Sequence, residues 1–215
     1  MLAFSKEFYK FITKDQVINH FVSSRKNFFL NAYAFKWFLF LFFIIFQLIF
    51  FNLKNNNGSP VFTGDNYFKI FINVVFLAPI LEEIVFRYHN DLRFKNLLFS
   101  ILASITLFHI SLVVLFVILS YFLILLTLLK LDFKIKRLAL VYISSFMFAI
   151  LHVIFFESYD NIENLVFIFL PRFFGGLLFC YVFFKKGIVL SILLHMFWNL
   201  FPFIVYFIRT QMVDF

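Results

Sequence analysis

A single cysteine, Cys180, in a chain of 215 residues excludes an intramolecular disulfide, and nothing in the cysteine usage points to an oxidised exported domain. Charge is scarce too, at 14% of residues. The net charge of +8 needs no nucleic acid to explain it. No polar segment is long enough for a soluble domain. No HExxH occurs, which excludes a zinc peptidase of the soluble type. The first hydrophobic run has no small-residue cleavage pattern behind it and is expected to be an anchor rather than a signal peptide.

What is abundant is apolar surface. Hydrophobic residues make up 64% of the chain and the mean hydropathy is +0.98, against about half apolar in soluble domains. The 41 phenylalanines reflect compositional bias. An integral membrane protein in contact with lipids follows. Apolar runs lie at about residues 37–53, 68–86, 97–129, 138–156, 164–184 and 187–208, joined by short polar links such as NLKNNNGSP and ESYDNIEN. The run over 97–129 is too long for one upright helix, since 33 residues of helix reach about 50 Å against a hydrocarbon core of roughly 30 Å.

Charge distribution decides how that run is folded. If it turns back near His109 to Ser111, the basic links fall on one side of the membrane and hold 15 of the 19 lysines and arginines, with the acidic link of Glu157, Asp160 and Glu163 opposite. The expected fold is therefore all-α, a polytopic membrane helix bundle of about seven transmembrane helices plus an N-terminal interfacial helix. The amino terminus is expected in the cytoplasm. In domain terms, residues 1–36 form a basic amphipathic segment and 37–215 the membrane domain. Within the first segment Phe4, Phe8, Phe11, Ile18 and Val22 recur at helical spacing between lysines, which suits a helix on an anionic membrane surface, or else a loose basic tail that only sets topology.

Ionisable side chains inside membrane helices are costly and rare, and here they concentrate in three short groups. The first is Glu82, Glu83 and Arg87 in EEIVFR, the second His152 in FAILH, and the third His195 and Asn199 in HMFWN. Glu83 and Arg87 are four residues apart, so the guanidinium can hold that carboxylate while Glu82 points about 100° away. His195 and Asn199 likewise share one helix face. Pro79 removes a backbone hydrogen bond one turn before the glutamates and is expected to bend the helix. Counting from the basic links, His152 and His195 lie roughly 22 Å and 14 Å deep. Glu83 reaches that level if its helix runs on through a buried Arg87 to about Lys95, and this is the expected course.

These three groups, in this order on separate hydrophobic helices, resemble the EExxxR, FxxxH and HxxxN motifs of the CPBP family, the type II CAAX prenyl proteases and ABI-type bacteriocin-processing or immunity proteins. The segment FFGGLLFCYVFFKKGIVLSILLHMFWN is similar to that family's glycine-containing helix, basic turn and final motif helix. The resemblance covers roughly residues 68–205. It implies an intramembrane endopeptidase in the bacterial inner membrane, acting on a membrane-tethered peptide or a prenylated protein. It implies Glu82 or Glu83 as general base, Arg87 as its electrostatic support, and His152 as partner of a water or a metal. His195 and Asn199 become oxyanion donors, or His195 a metal ligand. Under the metal version, zinc is held by His152, His195, Glu82 and Glu83; the version without metal is preferred, because those carboxylates are also needed as base and as partner of Arg87.

Two other classes compete. A catalytically silent scaffold or immunity protein would use the same fold, and a proton-coupled transporter would use the same buried Glu and His as a relay. The transporter lacks the expected repeated pair of broken helices. Among the remaining polar residues, His109 is expected to pack, and His89 and His20 to be solvated near the boundary. Arg172 snorkels, pairs with a carboxylate, or binds a substrate's carboxyl terminus.

Overall fold

The computed structural model describes residues 1–14, 24–50, 66–155 and 162–213, and every regular element among them is helical. The helices are α1 (Leu2–Lys14), α2 (Arg25–Phe50), α3 (Tyr67–Phe71), α4 (Ala78–Phe86), α5 (Phe94–Phe108), α6 (Leu112–Lys130), α7 (Arg137–Phe155), α8 (Ile162–Lys186) and α9 (Ile188–Val213). Five of them contain segments long and apolar enough to cross a membrane: Arg25–Phe46, Leu112–Lys130, Arg137–Ile154, Ile168–Lys186 and Ile188–Thr210. The all-helical membrane architecture is as the hydropathy required. Two further apolar stretches are the continuous helical run made by α3, a π-helical segment Ile72–Leu77 and α4, and the 15-residue α5. At about 22 Å, α5 falls short of the roughly 30 Å hydrocarbon thickness.

The long apolar run does break where its length required. His109–Ser111 separate α5 from α6, and the two helices pack together. Glu157, Asp160, Ile18, Val22 and His20 lie outside the described residues.

Helix α1 forms as its phenylalanine spacing predicts, but its apolar face does not meet lipid. Phe4, Phe8 and Phe11 are buried, with ring contacts at 5.3 to 5.7 Å to Tyr181 of α8. Glu7 clamps the same surface, accepting a hydrogen bond from Tyr181 Oη at 2.9 Å and pairing with Lys185 at 3.1 Å. A stripe of phenylalanines suits a protein groove and a lipid surface equally, and here α8 fills it. The second helix begins at Arg25, so residues 25–36 belong to the same helix as the first apolar run.

Helices α7 and α8 pack closely because small residues line their contact. An added Cβ on Gly176 would come within 3.0 Å of Ser145 Cβ and 3.1 Å of its Cα, a backbone atom that cannot move aside. Gly176→Ala is expected to destabilise the protein by about 1 to 3 kcal/mol, read as a lower melting temperature in detergent. After α8, Gly187 adopts φ +90°, a conformation that glycine tolerates without strain. Its N–H closes the helix on the Phe183 carbonyl at 2.8 Å. The chain therefore reverses in one residue, and α9 returns along α8, carrying His195 and Asn199 inward.

Candidate active site

The helix carrying the glutamates does not continue through Arg87. It ends at Phe86, Arg87 leaves helical geometry at φ −122°, and a 3₁₀ turn over Tyr88–Asp91 follows. The cause lies in side chains that compete for the last carbonyls. The Asn90 backbone N–H donates to the Arg87 carbonyl at 3.0 Å, so the Phe86 carbonyl loses its usual helical donor. The Asn90 side chain at 3.2 Å and the Ser144 hydroxyl of α7 replace it. His89 is buried rather than solvated, with Nδ1 on the Val85 carbonyl at 2.8 Å and Nε2 at 2.9 Å from Tyr121 Oη. The Glu83–Arg87 pair is buried without a long helix. Arg87 is fully buried, and Arg93, with a side chain 70% exposed, is the cation that reaches the surface.

Pro79 acts through the π segment ahead of it. The Ala78 N–H reaches back five residues to the Asn73 carbonyl. In that register the next carbonyl, that of Val74, would be met by residue 79, which as proline has no N–H. Asn199 Nδ2 of α9 donates to the Val74 carbonyl at 3.0 Å. A part-buried carbonyl left without its helical donor is thus satisfied by a side chain expected to serve chemistry, and the second hydrogen of that amide remains for another acceptor.

The two glutamates have separate environments. Glu83 is fully buried and both its oxygens are engaged. Oε1 accepts from His195 Nδ1 at 2.9 Å and lies 3.6 Å from Arg87 Nη1, and Oε2 accepts from Ser191 Oγ at 2.6 Å. Because an ionised carboxylate only accepts, the proton of this pair sits on His195 Nδ1, and Nε2 faces the other way. Glu82 Oε2 lies 3.6 Å from that Nε2, and it is buried without a hydrogen-bond partner among the described residues.

Aromatic rings enclose the cluster. His195 stacks on Phe179 at 4.6 Å. The Arg87 guanidinium lies over Phe148 at 4.2 Å, and its nitrogens have no hydrogen-bond partners among the described residues. Phe148 also packs on His152 at 4.4 Å and on His195 at 5.9 Å. His152 Nδ1 donates to the Phe148 carbonyl at 2.7 Å, which leaves the Nε2 lone pair for the site. A cavity of about 300 Å³ opens here, with His152, His195 and Asn199 in its wall beside Phe148, Phe179 and Arg172.

The site expectations can now be placed. Glu83, Arg87 and His195 meet directly and Glu82 adjoins His195. Among the described residues no contact joins either carboxylate to His152, which shares the cavity wall with His195 instead. Arg172 donates to the Ile168 carbonyl at 2.9 Å, a local backbone bond within α8. His109 caps its own helix at the Thr106 carbonyl. Among the described residues no three His, Cys, Asp or Glu side chains converge as the ligands of a zinc ion would. Ser191 is the member that sequence analysis missed, although it sits four residues before His195, as Asn199 sits four after, so one stripe of α9 carries all three.

A helical membrane protein with an aromatic-walled cluster of glutamates, arginine and histidines beside a cavity falls in the class whose buried ionisable residues mark candidate functional sites. A family model described as "Type II CAAX prenyl endopeptidase Rce1-like" matches residues 64–201, more than half of the chain, and the protein belongs to that Rce1-like family. Membership implies a protease and a membrane-associated protein substrate. No curated protein and no solved structure matches the chain.

Proposed function

We propose that the protein is an intramembrane endopeptidase in which Glu82 is the general base that activates a water, and Glu83 is the positioning carboxylate that holds His195. The observation that carries this division is the contrast between the two neighbours. Both oxygens of Glu83 are engaged by His195, Ser191 and Arg87, whereas Glu82 Oε2 is buried beside His195 Nε2 with no hydrogen-bond partner among the described residues. A buried carboxylate oxygen without a donor is a place for a water hydrogen. In a water-poor site a carboxylate is also a stronger base than in bulk solvent.

In this account the water sits between Glu82 and the imidazoles, with the free Nε2 of His152 accepting its second hydrogen. It attacks a peptide carbonyl lying in the cavity, Glu82 takes the proton, and the second N–H of Asn199 donates to the developing oxyanion. Protonated Glu82 then returns the proton to the leaving amine. The Asn199 bond to Val74 fixes the amide for that task. Phe148 and Phe179 keep bulk water out, which strengthens each of these interactions.

The topology belongs to the same proposal: seven crossings, counting the α3–π–α4 run and α5, with the amino terminus in the cytoplasm and the protein in the bacterial inner membrane. The asymmetry of lysine and arginine supports it. Cysteines introduced at positions 134 and 56 should label from opposite faces of the membrane; labelling from the same face would overturn the α5–α6 hairpin.

Activity and substrate are tested together by comparing membrane proteomes of cells carrying the wild type and the Glu82→Gln, Glu83→Gln double variant. Proteolytic ends present only with the wild type are the expected result. Identical ends in both would instead support a silent scaffold.

A further inference from the structure

Lys36 lies outside the matched residues 64–201 and outside all three motifs, yet its side chain is in the wall of the same cavity as His152, His195 and Asn199. It stands on α2, near the middle of the Arg25–Phe46 segment, where snorkelling to an interface is out of reach. The residue is only 6% exposed. Its ammonium lies 3.7 Å from the centroid of the Phe179 ring and 4.6 Å from that of Trp198. Among the described residues it makes no ion pair and no hydrogen bond, and its ammonium contacts the two ring faces.

Gly175 of α8 lies beside this side chain, where an added Cβ would make ordinary van der Waals contact with Lys36 Cε at 3.9 Å. A buried ammonium carries three donors, and two ring faces offset part of its desolvation without accepting those hydrogens in line. Buried unpaired cations are costly and mark binding sites in membranes.

We infer that Lys36 binds a carboxylate of the peptide substrate in the cavity, and so fixes which peptides the site accepts. The inference deepens the peptidase proposal and rests on it for the nature of the ligand. A carboxylate suits the site better than a phosphate. Most of the wall around the ammonium is apolar and aromatic, and Arg172 is the other cationic side chain in it, fewer charged donors than the three oxygens of a phosphate engage.

The test is direct binding to the purified full-length protein in detergent. The probes are N-dodecanoyl-Gly-Gly with a free carboxylate, its carboxyl-terminal amide, and dodecyl phosphate. Binding is read from the fluorescence of the two tryptophans, one of which, Trp198, lies against Lys36. The wild type should bind the acid roughly tenfold to a hundredfold more tightly than the amide. Lys36→Met should bind acid and amide alike with the amide affinity unchanged, and Lys36→Arg should keep the preference.

Equal binding of acid and amide by the wild type would overturn the inference without recourse to any variant. So would a preference that survives in Lys36→Met. Tighter binding of dodecyl phosphate than of the acid would assign the site to a lipid headgroup and overturn the peptide assignment. The same measurements on Glu82→Gln involve no turnover, so the peptidase proposal and the Lys36 inference fail separately.

Discussion

Glu82→Gln should lower turnover by roughly a hundredfold or more while substrate binding survives. The substitution keeps the shape of the side chain and removes its capacity to take a proton. The loss is expected to be specific to Glu82, because its Oε2 is a buried carboxylate oxygen without a donor among the described residues. Glu83→Gln should differ in kind. A glutamine there offers one acceptor where Glu83 receives His195, Ser191 and the charge of Arg87. Its variant should therefore lose stability as well as rate. Melting curves in detergent beside kinetics on a substrate from the proteome comparison distinguish the two, and equal loss of rate with equal stability would remove the division of roles.

Arg87→Ala should destabilise the protein by about 3 to 5 kcal/mol, the cost of leaving a buried charge without its partner. Both members of the Glu83–Arg87 pair are completely buried, so no solvent screens the carboxylate left behind. The guanidinium also covers the rings of Phe148 and Phe179, at 4.2 and 5.2 Å, and truncation would open a cavity beside them. Loss of expression or a sharply lowered melting temperature is the expected readout. A variant that melts with the wild type would show that Glu83 is held by His195 and Ser191 alone.

Much of this site was legible before any coordinates. The four-residue spacing of Glu83 and Arg87 requires one helix face, and the membrane requires their charges to pair, which is the contact found. His195 and Asn199 project from α9 into one cavity for the same reason. What escaped was governed by competition for backbone groups. Nothing in helical periodicity says that Asn90 and Ser144 will take over the Phe86 carbonyl and stop the helix, or that Pro79 will leave Val74 for Asn199 to satisfy.

Burial of α1 was hidden for another reason. Hydropathy measures aversion to water and does not distinguish lipid from a groove on α8. Lys36 was concealed by its neighbours in sequence, since a lysine following a basic segment reads as a topological charge until α2 is seen to begin at Arg25 and turn it inward.

Single-turnover hydrolysis in heavy-oxygen water, with enzyme in excess of substrate, tests the role of Glu82 most directly. If Glu82 acts as a base on water, the label appears in the new carboxylate of the product, none enters the glutamates of the enzyme, and Glu82→Gln forms almost no labelled product at unchanged substrate occupancy. Label recovered in a glutamate would mean a covalent acyl intermediate, and labelled product formed by Glu82→Gln at the wild-type rate would contradict the account.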